Sequence, residues 1–295
     1  MILNVSSRTD IVAFYTEWFM NRYREGFVDV RNPFNPKLVS RINFDNVDLI
    51  LFCTKDPRPI VKYLSEIDKP IIFQITLTSY KNDIETNVPN KKLIVDSIKD
   101  ISRIIGIDNI YVRYDPIFIS DKYNINYHKK AFFKMCSLLE GYVKHIIVSF
   151  MDDYKNVINN RYILRDKAIT SDDYKEIGLS FSKSAKRYGM TVQTCFEDNN
   201  LVEYGFIKAD CLSHELAYSI TGKSYKNWTA RMGGKCNCVQ MVDIGVYNSC
   251  KHFCKYCYAN YNSNMVNNNY LKHDDNSSLL IGYLEPFDVI KERYK

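Results

Sequence analysis

The chain of 295 residues has no apolar run near the roughly 18 residues that a membrane helix needs, so no helical membrane span is expected. Its opening residues, MILNVSSRTD, lack a basic segment followed by an apolar stretch and a small-residue cleavage site, which argues against secretion and for the cytoplasm. Glycine and proline are few, 11 and 8, and nowhere gather into a linker; an internal repeat of fixed period is also missing. A single domain over residues 1–295 is the expectation. Extreme charge is absent too. The net charge of +6 and a pI near 8.7 permit nucleic acid or an anionic small molecule as partner without identifying either.

With 46% hydrophobic and 25% charged residues, the chain can bury a large core without help from disulfides. Its nine cysteines therefore need another explanation, and a reducing compartment favours thiols or metal ligands. They are unevenly placed. Cys53 and Cys136 lie in the first half and read as packing residues, whereas Cys195, Cys211, Cys236, Cys238, Cys250, Cys254 and Cys257 crowd into residues 195–257.

Short β-branched and aromatic runs at 2–6, 47–53, 71–77, 109–114, 145–150, 191–196 and 239–246 alternate with helical spacing at 12–25, 57–66, 91–105, 127–141 and 171–188. This alternation predicts an α/β fold, a partial or complete parallel β/α (TIM-like) barrel. Thr170–Ser171–Asp172 supplies a helix start and Gly189 a stop. The Asn- and Ser-rich stretch 260–278 reads as a surface loop before a terminal helix at 286–294. Polar residues follow the strand ends: Ser6, Ser7, Arg8 and Asp10; Lys55; Arg113 and Asp115; Ser149 and Asp152; Glu197. In a β/α barrel these would converge on the active face.

Cys250-Lys251-His252-Phe253-Cys254-Lys255-Tyr256-Cys257 follows directly on a strand-like run. Three thiolates spaced Cys-x3-Cys-x2-Cys can each take one iron of a four-iron four-sulfur (4Fe-4S) cluster and leave the fourth iron open. The open iron is where S-adenosylmethionine can chelate through its amino and carboxylate groups and be cleaved reductively to a 5'-deoxyadenosyl radical. A zinc site completed by His252 or a further cysteine is the competing reading of the same residues. His252 itself reads as a loop residue, and His128, His145, His214 and His273 show no ligand spacing.

The loop 250–257 resembles the Cys-x3-Cys-x-aromatic-Cys signature of the radical S-adenosylmethionine superfamily, in which the aromatic, here Tyr256, precedes the third cysteine near the adenine. The whole chain resembles an uncharacterised bacterial and archaeal family, domain of unknown function 1848, which carries such a cluster at its C-terminal end. The segments that carry this likeness are SSRTDIVAFYTEWFMNR (6–22), NPFNP (32–36), LFCTKDPRP (51–59), FQITLTSY (73–80), VRYDPIF (112–118) and CNCVQMVDIGVYNSCKHFCKYCYAN (236–260). The resemblance implies a circularly permuted barrel: the cysteine-bearing strand near the C-terminus takes the place of the usual first strand, with strand 2–6 as its neighbour. Residues 195–260 would form the cluster-binding region. Ser6, Arg8, Asp10, Lys55, Arg113 and Tyr256 then become the cofactor-binding candidates, Arg8 or Arg113 for the methionine carboxylate and Asp10 or Asp115 for the ribose hydroxyls. An electron donor such as flavodoxin or ferredoxin is implied as a partner.

Cys195, Cys211, Cys236 and Cys238 have the number of thiolates that closes a second 4Fe-4S cluster or a zinc tetrahedron. The expected activity is hydrogen abstraction from a small molecule or macromolecule. Two alternatives stand beside it. The string Cys-x3-Cys-x-Tyr-Cys-Tyr resembles the cluster loop of spore photoproduct lyase, which would make the chain a nucleic-acid lyase. A non-catalytic binding protein folded around zinc would use the same cysteines without turnover.

Overall fold

The structure is a computed structural model and describes residues 1–195, 197, 201–227 and 237–294. Its strands are β1 (Ile2–Val5), β2 (Phe27–Arg31), β3 (Leu38–Asn43), β4 (Leu49–Thr54), β5 (Ile71–Thr76), β6 (Ile110–Ile117), β7 (His145–Phe150), β8 (Thr191–Thr194), β9 (Val242–Asp243) and β10 (Val289–Glu292). The α-helices are α1 (Ile11–Phe14), α2 (Thr16–Glu25), α3 (Lys91–Ile105), α4 (Ile125–Leu139), α5 (Lys155–Asn159), α6 (Arg161–Leu164), α7 (Ser171–Arg187), α8 (His214–Thr221) and α9 (Ser263–Leu271). Seven strands form a parallel sheet in the order β8-β7-β6-β5-β4-β1-β9, flanked by helices. Among the described residues no helix is long and apolar enough to cross a membrane.

Both faces of this sheet are covered, so its strands are continuous apolar runs whose side chains divide by the two-residue period. Val5, Ile50, Phe52, Phe73, Ile75, Val112, Ile146 and Val148 join the larger core, which includes apolar residues of α3, α4 and α7. Phe52 stacks on Phe73 at 4.9 Å, and Phe132 of α4 stacks on Phe181 of α7 at 3.8 Å. Each such buried ring contributes roughly 1.5–3 kcal/mol. On the opposite face Ile2, Leu51, Ile72, Tyr111 and Ile147 pack beneath Leu212, Ala217, Val239 and Met241. Two residues further along each strand, that second face turns polar: Asn4, Cys53, Gln74, Arg113 and Ser149 follow Ile2, Leu51, Ile72, Tyr111 and Ile147, and Cys195 stands just after β8. The sheet thus brings polar side chains together at its carboxyl ends.

Local signals explain the best-defined helices. Asn90 caps α3 by accepting from Lys92 N, and Ile94, Ile98 and Ile101 recur on its buried face. Thr170 and Asp173 close a capping box on α7, and Gly189, at φ 68°, follows its end. Segment 57–66 forms a 3-10 helix rather than an α-helix, and 12–25 breaks at Tyr15 into α1 and α2. The expected terminal helix at 286–294 is instead β10, which pairs with β3 in parallel. Backbone bonds from Val289 N to Lys37 O and from Arg293 N to Arg41 O, both 2.8 Å, hold it there, so tertiary pairing overrides local preference. Strands β2 and β3 complete this small sheet, and α9 occupies part of the expected 260–278 loop.

Candidate cofactor and metal site

Strands β1 and β9 meet at a polar seam. β9 pairs in parallel with β1, Leu3 opposite Val242 and Asn4 opposite Asp243. The Asp243 carboxylate accepts from Ser6 Oγ at 2.8 Å, Ser7 N at 2.8 Å, Arg8 Nε at 3.2 Å and Gly245 N at 2.7 Å. Arg8 also donates to the Asp243 carbonyl at 2.6 Å. This turn ends β9 after two residues, well inside the expected run 239–246. A Cβ at Gly245 would stand 1.9 Å from Ser6 Oγ, so the close approach of the segments that follow β1 and β9 requires glycine there.

Beyond the seam the cysteine loop is held by its backbone. Cys250 O accepts from Asn260 Nδ2 at 2.7 Å, Lys251 O from Asn87 Nδ2 at 2.8 Å and His252 O from Asn87 N at 3.0 Å. Lys255 O accepts from Asn160 Nδ2 at 2.7 Å, and Cys257 O from Asn156 Nδ2 at 2.5 Å. Tyr15 OH donates to Ser249 O at 2.6 Å. With these carbonyls satisfied, Asn248 and Phe253 are kept in left-handed conformations at φ 55° and 52°, which non-glycine residues rarely adopt. Cys250, Cys254 and Cys257 all line one cavity of about 310 Å³, within the range of small-molecule sites. Burial pushes all three thiols up, Cys250 and Cys254 well above their ordinary range. Ionising them there calls for a cationic partner, as metal ligation provides.

Charged groups underlie this loop. Glu85, whose side chain is 1% exposed, accepts from Lys55 Nζ at 2.9 Å and Thr78 Oγ1 at 2.6 Å, and from Lys91 and Tyr256 OH. Burial would raise its carboxyl, but Lys55 and Lys91 hold it far below the usual carboxylate range. Glu85 also forms an antiparallel backbone bridge with Cys254. Asp10 caps α1 through Ala13 N at 2.9 Å and accepts from Thr54 Oγ1 and Lys55 N, each at 2.7 Å. Its remaining partner is His252 Nε2 at 2.9 Å. His252 is therefore a buried tie between the cysteine loop and α1, not a free loop residue.

Three cysteines of the second set, Cys195, Cys211 and Cys238, line the same cavity. Cys195 follows β8, Cys211 precedes α8 and Cys238 precedes β9. Cys211 Sγ lies 2.8 Å from Cys195 Sγ and 3.5 Å from Arg113 Nη1. Hydrogen bonding to Cys211, then burial, raises the Cys195 thiol well above its ordinary range. Cys236 lies outside the described residues. Among the described residues, no three His, Cys, Asp or Glu side chains form a group that could hold a metal ion as they stand. Arg113 is engaged with Asp115 Oδ2 at 2.9 and 2.5 Å and with Gln74 Oε1 at 3.1 Å, and Asp115 also accepts from Ser149. Glu197 accepts from Phe150 N at 2.7 Å, and burial pushes its carboxyl up to about 8.

Of the cofactor-binding candidates, Ser6, Asp10, Lys55, Arg113 and Tyr256 line the cavity, whereas Arg8 does not and is spent on the seam. Cys136 is core, but Cys53 lines the cavity, with its Sγ 3.5 Å from Asn4 Oδ1. Sequence reasoning passed over Glu85, His252 and the loop-fixing Asn87, Asn156 and Asn160. Position within the cysteine motif was a signal for His252; the asparagines are hidden by the abundance of that residue. The family model described as Domain of unknown function (DUF1848) matches residues 2–259. No curated protein matches the chain.

Proposed function

The chain belongs to the DUF1848 family, and on that premise we propose that it is a radical S-adenosylmethionine enzyme with a 4Fe-4S cluster on Cys250, Cys254 and Cys257. The observation that carries the reading is that these three thiols of one backbone-fixed loop share a cavity beside the β1–β9 seam. The donor set fits the group, since soft thiolates are what iron–sulfur clusters take and three of them leave one iron open. When bound, the cluster supplies the electron that cleaves S-adenosylmethionine to methionine and a 5'-deoxyadenosyl radical.

The protein's own part is to bind, orient and shield. Tyr256, fixed by its bond to Glu85 and tilted 5.6 Å from Tyr80, forms a wall of the cavity beside the cysteines. Lys55 and Arg113 bring cationic groups to the same space, suited to a carboxylate, and Asp115 and Ser149, bonded in line with Arg113, add polar contacts beside it. Asp10, already engaged by four donors, acts by holding His252 and Lys55 in place. The seven-stranded sheet is read as a permuted β/α barrel, with β9 as its functional first strand. Cys195, Cys211 and Cys238, together with Cys236, are read as the residues that would hold an auxiliary cluster. An external one-electron donor completes the reaction, and the substrate gives up a hydrogen atom.

Iron and acid-labile sulfide content after anaerobic reconstitution tests this reading. About four irons and four sulfides per set of ligands are expected in the wild type. Cys254→Ala should lose the first set. Unchanged iron and sulfide in that variant, or zinc in place of iron, would contradict the proposal.

A further inference from the structure

Glu85 is one buried carboxylate facing two ammonium groups. Lys55 Nζ stands 2.9 Å from Oε1, and Lys91 donates to Oε2. Thr78 and Tyr256 add only neutral donors to the same carboxylate. Of the other acids near Lys55, Asp115 is paired with the Arg113 guanidinium and accepts from Ser149, and Asp10 accepts from His252, Thr54, Ala13 N and the backbone N of Lys55 itself. Within the triad itself two ammonium groups face one carboxylate, which leaves one positive charge in excess behind the cysteine loop. Glu85 bridges the Cys254 backbone, Lys255 N donates to Ile84 O at 2.9 Å, and Lys55 lies 5.3 Å from the Tyr256 ring and lines the cysteine cavity.

We propose that the Lys55–Glu85–Lys91 triad sets the reduction potential of the group held by Cys250, Cys254 and Cys257, the excess ammonium charge favouring its reduced form. The inference rests on the proposed cluster, and the physical argument is Coulombic. Reduction adds one electron and no proton to an assembly of thiolates, sulfides and irons, so its negative charge rises by one. A fixed positive charge in a poorly solvated site stabilises that product. Glu85 opposes the effect by one unit and holds the two lysines in position; it is a positioning residue.

Redox titration of the reconstituted protein with a low-potential chemical reductant, followed by the electron paramagnetic resonance of the reduced cluster, tests this. Lys55→Met and Lys91→Met should each lower the midpoint potential, and Glu85→Gln should raise it. Lys91, with 31% of its side chain exposed, tolerates replacement without a buried vacancy, so the test does not hinge on Glu85→Gln folding. A merely structural role predicts loss of iron without opposite shifts. Equal potentials in Lys55→Met, Lys91→Met and wild type, at full iron content, would overturn the triad's role and leave the cluster proposal standing. A wild type that takes up no cluster would overturn both.

Discussion

The two sets of cysteines face one cavity but reach it by different routes. Cys250, Cys254 and Cys257 belong to a single loop whose carbonyls are tied down by asparagines from three other segments. Cys195, Cys211 and Cys238 come from the end of one strand, a loop before a helix and the entry to another strand, and they meet only when the chain has folded. The local set writes its chemistry into residue spacing. The dispersed set depends on the sheet order, because β8 and β9 are opposite edges of the sheet, and Cys211, Leu212, Ala217, Cys238, Val239 and Met241 pack over its second face.

The sharpest way to separate the two is to replace Cys250, Cys254 and Cys257 together with Ala. The variant is expected to stay folded and keep the second set's metal, about four irons with matching sulfide. Zinc there would make the second set structural, and loss of all metal from a folded variant would mean it is no metal site. Next in size is Gly245→Ala, which forces Ser6 away from the seam. It should cost about 1–3 kcal/mol in chemical unfolding and reduce iron loading of the local set more than of the dispersed one. Asp243→Ala should cost about 1–3 kcal/mol by leaving Ser6, Ser7 N and Gly245 N without their acceptor. Arg8→Ala should cost less, and because Arg8 lies off the cavity its cofactor affinity should match that of Lys291→Ala.

A separate prediction is a pH dependence of stability beside Cys195. Burial raises Glu197 to about 8, so between its unfolded value near 4.3 and pH 8 the folded state holds a proton that the unfolded state has lost. Stability from this group therefore falls as pH rises across that window and is level above it. Glu197→Gln should flatten that slope in unfolding measured from pH 5 to 9; an unchanged slope would assign it elsewhere.

Much of the fold was legible because parallel strands covered on both faces are short apolar runs, and α3 and α7 carry their own caps. The small sheet was not, since β10 is defined by its pairing with β3 and its own residues are exposed. At the site the cysteine spacing was legible, as was the placement of Lys55 just after β4, whereas Arg113, expected near a strand end, lies within the longer β6. Glu85 was not legible, because an acid in an ordinary loop sequence gains meaning only from the lysines and tyrosine brought to it. Arg8 illustrates the reverse: its position after β1 suggested a cofactor contact, but the neighbouring strand's Asp243 takes its guanidinium.

The central claim is that the local cysteines support reductive cleavage of S-adenosylmethionine. Its most direct test is formation of 5'-deoxyadenosine by the anaerobically reconstituted protein with dithionite, compared with Cys254→Ala carried through the same reconstitution. The account predicts product from the wild type and none above background from the variant. Equal product from both, or none from a wild type carrying its full complement of iron and sulfide, would contradict it.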